Sequence, residues 1–422
     1  VKQENNMSGT KVITNIGQLI TFNPSFYKEE PITDTVEPDL GLIQDAAVLV
    51  EDGYIKWVGP EEEVGWDWLD KYDVVNARKN VVTPGLIDSH NHLIFAGSRH
   101  NEFEMRLQGI SYTDIAKKGG GILSTVEPTR KASFEDLYHT GLERVRRIQS
   151  FGVTTMEAKT GYGLSLESEI KMLKVIKALN NAAQADIIPT FMGAHALAPE
   201  FKDYESYTDY ICKEMIPAVA QQKLAKFCDV FAERNYFSIE QARRILYTAS
   251  EYGLLLKLHG DEFSNFYATA LALEVGATSV DHLICMDNAA MEPLANSDTV
   301  ATVMPGVSLF LGTGTAPARE MLNAGVKVAL ATDFNPGSNM CECLPLAMVY
   351  GCLLLKMSPA EVLKAVTVNA AKALALDDRG SIEVGKRADF AFFDISSYQY
   401  MFYHYGINHL SRLMVMGENV LI

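Results

Sequence analysis

The sequence predicts an α/β protein: a closed (β/α)8 barrel of the TIM type carrying a small β-sandwich assembled from the N- and C-terminal segments. Three observations carry that prediction. First, helical runs repeatedly stop at a glycine and give way to a short β-rich run that finishes in polar residues. Gly152 precedes Val153-Thr154-Thr155-Met156-Glu157, Gly253 precedes Leu254-Leu255-Leu256-Lys257-Leu258, Gly276 precedes Ala277-Thr278-Ser279-Val280, and Gly325 precedes Val326-Lys327-Val328-Ala329. Glycine suits the left-handed residue just past a helix, so each unit reads as helix, stop, strand. Second, further strands near Ile87, Ile188, Val230 and Val300 bring the alternation to eight units, which suits a closed parallel barrel. A doubly wound open sheet is the competitor, but no G-x-G-x-x-G follows the first strand. Third, the two ends of the chain lack the alternation and read as short strands. The expected division is 7–80 with 376–422 for the small domain and 81–375 for the barrel.

Taken in order, the N-terminal segment offers β-like runs at Val12-Ile13-Thr14-Asn15, Gln18-Leu19-Ile20-Thr21, Ala46, Val48 and Val50, and Tyr54-Ile55-Lys56-Trp57-Val58. Asp52-Gly53 between two of them is a hairpin signal. The C-terminal segment adds Ala388-Asp389-Phe390-Ala391-Phe392-Phe393 and Arg412-Leu413-Met414-Val415. Helix starts in the middle of the chain are marked by capping boxes at Ser133-x-x-Asp136, Ser238-x-x-Gln241 and Ser358-x-x-Glu361, the last with Pro359 at the first helical position. From Ser238 to Tyr252, Ala242, Ile245, Leu246 and Ala249 form one apolar stripe, as an outer barrel helix requires.

Composition removes several function classes. With 422 residues, 48% of them hydrophobic, the chain can bury a large core. A formal charge of −16 argues against nucleic acid or an anionic membrane surface as partner. It also means that an anionic substrate needs a local cationic anchor. Six cysteines without a C-x-x-C, no bilayer-length apolar stretch and no signal-like start make the cytoplasm the expected location.

The run Val81-Val82-Thr83-Pro84-Gly85-Leu86-Ile87 reads as one apolar strand, and it ends in Asp88-Ser89-His90-Asn91-His92. Residues two apart on a strand face the same side, so His90 and His92 can grip one cation. Functional residues of such barrels lie at the C-terminal ends of strands, and that rim collects His90, His92, His195, His259, His282 and Asp333. Three imidazoles and a carboxylate, from His90, His92, His259 and Asp333, suit one zinc or iron ion per subunit with a position left for water. Such an ion lowers the pKa of water towards neutrality and readies it for attack on a carbonyl or amidine carbon. Strand four offers no lysine, which disfavours a lysine-bridged two-metal site. Lys159, equally readable as a charge behind the site or a solvated residue, stays outside the expected site. His139, His404 and His409 are expected at the surface or packed as polar residues, and His100 is left open.

Pro84-Gly85-Leu86-Ile87-Asp88-Ser89-His90-Asn91-His92, together with His259, His282, Asp333 and the closing Gly380-Ser381-Ile382-Glu383-Val384-Gly385-Lys386-Arg387-Ala388-Asp389, resembles the amidohydrolase superfamily. More specific stretches are Phe95-Ala96-Gly97-Ser98-Arg99, Gly119-Gly120-Gly121-Ile122, Glu157-Ala158-Lys159-Thr160-Gly161-Tyr162, Gly193-Ala194-His195, His259-Gly260-Asp261-Glu262 and Asp333-Phe334-Asn335-Pro336-Gly337-Ser338. These are similar to the members that open the cyclic amide of an imidazolone ring bearing a propionate during histidine degradation. The resemblance implies that Arg99 anchors the substrate carboxylate. Tyr162, unless it simply packs, and His195 would add contacts, Asn335, Gly337 and Ser338 would line the other side, and the glycines 119–121 suggest either a mobile loop near the mouth or a plain flexible connector. Glu262 would hold a ring N–H and pass on a proton, and His282 would orient or polarise the carbonyl. Which of Glu262, His282 and Asp333 is the base stays open, as does a homodimer. The same His-x-x-Glu also suits a deaminase of a neutral heterocycle, and Arg99→Met discriminates the two, since it should abolish turnover of a carboxylate-bearing ring and spare a neutral one. A non-catalytic scaffold would gain little from four metal-binding groups on one rim.

Overall fold

The computed structural model describes residues 9–27, 38–65, 67–110, 114–115 and 120–421. Eight parallel strands follow one another in chain order around the barrel: β1 (Leu86–Asp88), β2 (Val153–Lys159), β3 (Asp186–Ala194), β4 (Phe227–Ala232), β5 (Leu255–Gly260), β6 (Ser279–His282), β7 (Val300–Val303) and β8 (Val328–Leu330). The predicted stops all hold left-handed glycines, with φ of 93° at Gly152, 80° at Gly253, 64° at Gly276 and 85° at Gly325. All three capping boxes form at Ser133, Ser238 and Ser358. The helix Ile239–Glu251 buries Ala242, Ile245, Leu246 and Ala249, the stripe read from the sequence.

The barrel closes just beyond β1 and β8. Asp333 donates its backbone N–H to the His90 carbonyl at 3.0 Å, and His92 donates to the Phe334 carbonyl at 2.9 Å. This makes a parallel bridge between Asn91 and Phe334. The buried Asp88 carboxylate staples the same seam, accepting from Thr332 N at 3.0 Å, Thr332 Oγ1 at 2.6 Å and Asn91 Nδ2 at 3.0 Å. The first and last strands therefore meet at residues the sequence marked for metal binding.

The terminal segments form a separate mixed sheet. Lys11–Leu19 pairs antiparallel with Ile43–Glu51 and parallel with Asp73–Asn76 and Val81–Pro84, while Phe390–Phe393 joins Val81–Pro84 to Leu410–Val415. Two details differ from the sequence reading. The runs read at 12–15 and 18–21 form one strand, which stops at Leu19. Residues 81–87 are not one strand: Val81–Pro84 belongs to the terminal sheet, and only Leu86–Asp88 enters the barrel. Gly85 sits at the break, where an added Cβ would lie 2.2 Å from Thr154 Oγ1. Both halves are buried, so apolarity alone could not reveal the change of sheet. Among the described residues no helix is long and apolar enough to cross a membrane.

Removing the Ser238 cap by Ser238→Ala is expected to cost about 1 kcal/mol in urea unfolding. Ile245→Ala, on the buried stripe of the same helix, is expected to cost about 2–5 kcal/mol.

Candidate metal centre and active site

The seam hydrogen bonds place His90 and His92 against Asp333. His90 Nε2 lies 3.4 Å and His92 Nε2 3.6 Å from Asp333 Oδ1. His259, at the end of β5, brings its Nε2 to 3.4 Å from His92 Nε2. His282, at the end of β6, belongs to a second tight group with His90 and Asp333. Buried His90 Nε2 and Asp333 Oδ1 have no hydrogen-bond partner among the described residues. Converging, unpartnered donor atoms of this kind suit a cation, and the imidazole and carboxylate set suits a transition metal. Burial holds the His90, His92 and His282 imidazoles well below the usual histidine range, and so in the neutral form that ligates metal.

Two buried carboxylates set the tautomers. His90 Nδ1 donates to Asp281 Oδ2 at 2.7 Å, and His259 Nδ1 donates to Asp229 Oδ1 at 2.9 Å, which leaves each Nε2 lone pair facing the site. Both carboxylates belong to a fully buried ion network. Lys159 Nζ reaches Asp229 at 2.6 Å, Glu157 at 2.9 Å and Asp281 at 3.6 Å, and Lys257 Nζ reaches Glu157 and the Ser89 carbonyl, each at 2.9 Å. Three carboxylates against two ammonium groups leave a residual negative charge directly behind the histidines, the sign that favours a bound cation. Lys159, which sequence reasoning kept outside the site, is thus one of its buried counter-charges. Asp229, Asp281, Glu157 and Lys257 were missed. The signal available was charge at alternate positions of strands that are otherwise apolar on both faces.

Above the histidines lies a cleft. Arg99, Tyr162, His195, Glu262, Asn335, Gly337 and Ser338 all line it, with His92, His259, His282 and Asp333 in its wall. His90 lies deeper. Phe231, Tyr236, Phe263 and Leu311 complete the wall. Of the glycine-rich stretch, Gly119 lies outside the described residues, while Ile122 at its far end lines the cleft. His100 bonds Ser98 instead and is exposed, and His139 and His404 are exposed as well.

The remaining rim side chains are held in defined states. His195 Nδ1 donates to the Gly161 carbonyl at 3.1 Å, and burial pushes its pKa down to about 3, so Nε2 presents a lone pair to the cleft. Such a nitrogen accepts a hydrogen bond from a ring N–H and offers nothing to a carboxylate. Burial, then the charge of Asp333, pushes the Glu262 carboxyl well above the usual range, and His282 Nδ1 stands 3.7 Å from its Oε1. Asn335 spends its amide on the turn: Oδ1 accepts from Gly337 N and Ser338 N at 2.8 Å, and Nδ2 donates to Asp333 O at 2.8 Å and Ser338 Oγ at 2.7 Å. His282 and Asp333 sit at positive φ, 83° and 48°, conformations that a non-glycine residue keeps only where its surroundings enforce them.

Residues 81–420 match the model of the Amidohydrolase family. This chain belongs to the amidohydrolase family. It is 45% identical over 395 residues to the imidazolonepropionase of Brevibacillus brevis, covering 92% of this chain and 93% of that one. It is 43% identical over 416 residues to the imidazolonepropionase of Fusobacterium nucleatum subsp. nucleatum, covering 98% and 99%. Among solved structures, an adenosine deaminase from Xanthomonas campestris with bound zinc superposes with a TM-score of 0.72 at 18% identity, covering 98% of this chain and 93% of that one. The atrazine chlorohydrolase TrzN from Arthrobacter aurescens TC1, complexed with zinc, gives 0.67 at 16% identity, covering 97% and 94%. At such identity these two support the barrel and its flanking sheet, while the full-length relatives identify the enzyme as a hydrolase.

Asp281→Asn should weaken metal binding by about 10–100-fold, read by titrating the stripped enzyme with zinc. Lys159→Met leaves buried carboxylates uncompensated and is expected to cost about 3–5 kcal/mol in urea unfolding.

Proposed function

We propose that the enzyme hydrolyses 4-imidazolone-5-propanoate to N-formimino-L-glutamate, the ring-opening step of histidine degradation. One observation carries the choice of substrate. Among the described residues lining the cleft, Arg99 is the one permanently cationic side chain, and it shares the cleft with the metal-ligating cluster. Glu102 pairs with this guanidinium, and in a chain of net charge −16 a cationic side chain in the cleft remains the group suited to a substrate carboxylate. The names of the full-length relatives support the same reading.

His90, His92, His259 and Asp333 would hold one zinc or iron ion. When bound, that ion supplies Lewis acidity towards water and the ring carbonyl. The chain's own groups do the rest. Arg99 takes the propionate. His195 Nε2, an acceptor only, takes a ring N–H and fixes which ring edge faces the histidines. Asp333 accepts the proton of the attacking water as a C–O bond forms at the ring carbonyl. Neutral His282 donates to that carbonyl oxygen. Glu262, kept in its protonated form by burial, gives its proton to the ring nitrogen as the C–N bond breaks. All six cysteines are free, in keeping with a cytoplasmic setting.

The test is loss of imidazolone absorbance on incubation with purified enzyme. Turnover is expected to disappear with a chelator and to return with added zinc or ferrous iron. A fully metallated enzyme that leaves the absorbance unchanged would overturn the substrate assignment. Arg99→Met is expected to lower kcat/KM by about 2–5 kcal/mol, while binding of an uncharged imidazole stays unchanged.

A further inference from the structure

The proposed substrate anchor is itself anchored. Arg99 is 5% exposed in its side chain, and it donates from Nε at 2.9 Å and from Nη2 at 2.7 Å to a single oxygen, Oε2 of Glu102. The other oxygen, Oε1, accepts from Gly121 N at 3.1 Å and from Ser124 Oγ at 2.8 Å. Ile122, between those two residues, lines the cleft. On the opposite side of the guanidinium, a Cβ at Gly337 would fall 2.2 Å from Nη1. A side chain at Gly337 would displace that edge of the guanidinium. The Glu102 carboxylate thus holds the guanidinium through Nε and Nη2 and ties it to the segment carrying a wall residue.

From this we infer that Glu102 is the positioning residue for carboxylate recognition: it pre-orients Arg99 towards Gly337 and fastens residues 120–124 as a wall over the same site. An arginine left unheld has a flexible side chain whose rotamer entropy must be lost at each binding event. Glu102 removes that cost in advance. Its negative charge opposes the ligand's, so the two effects have opposite signs. The tie to residues 120–124, lost together with the Arg99 contact, puts the larger effect on orientation.

The inference rests on the proposed substrate, and the experiment separates the two. Zinc-loaded full-length enzyme is titrated calorimetrically with 3-(imidazol-4-yl)propanoate and with 4-methylimidazole, which shares the ring but lacks the carboxylate. Glu102→Ala is expected to raise Kd for the propanoate about tenfold and to leave 4-methylimidazole unchanged. In turnover the same variant should raise KM with little change in kcat. Ser124→Ala should raise the propanoate Kd about threefold, the weight of one hydrogen bond. Glu102→Gln keeps the volume and carries the same test should the alanine variant not fold. Equal weakening of both ligands, tighter propanoate binding, or no change in either overturns the role given to Glu102. A wild-type enzyme that binds both ligands alike and leaves imidazolone intact overturns the substrate assignment instead.

Discussion

The pairing of Glu157, Asp229 and Asp281 with Lys159 and Lys257, all five fully buried inside the barrel, is the interaction on which the site depends. A carboxylate in such a place is tolerable only when paired and hydrogen-bonded. The pairing also aims Asp229 Oδ1 at His259 Nδ1, and the Asp281 Oδ2 that faces Lys159 at His90 Nδ1. The core thereby becomes an orienting device: the charges that make it costly are the ones that set the histidine tautomers.

The same solution recurs around the rim. Glu169, fully buried, accepts from the backbone of Gly161, Gly163 and Leu164 and so holds the turn that carries Tyr162. Glu233 accepts from Phe263 N and Ser264 N and fixes the segment following Glu262. Asp261 accepts from Phe266, Ala268 and Thr269, at the start of the helix behind β5. The rim segments that carry Tyr162 and Glu262 are each clamped by a carboxylate that does not line the cleft. This is how connecting segments come to hold a reactive geometry usually expected of strands and helices.

Much of this was legible in the sequence where the signal was local. A left-handed glycine, a Ser-x-x-Glu box and a histidine closing an apolar run each act within a few residues, so the barrel count and the rim histidines followed from inspection. The resemblance to the amidohydrolases then drew attention to Arg99, Glu262 and Asn335. The buried network escaped because its logic is transverse. Lys257 stands beside Asp229, and His259 beside Asp281, only through the registers of β5 with β4 and with β6. No spacing along the chain encodes either pairing. The break at Gly85 escaped for a related reason: residues 81–84 and 86–88 are equally apolar because each is interior to a sheet, and nothing local says that the sheets differ. Glu102 was within sight, three residues from Arg99, yet a carboxylate beside an arginine on a helix is ordinarily a solvated pair.

The closing seam has a consequence for how the enzyme matures. His90 and His92 leave the ribosome early, whereas Asp333 and Phe334, their partners across the seam, come after the other seven strands have been made. Until then the early histidines have neither the bridge that positions them nor the carboxylate that completes the set. A nascent or truncated chain therefore lacks the juxtaposition of His90 and His92 with Asp333, which forms only once the barrel is complete.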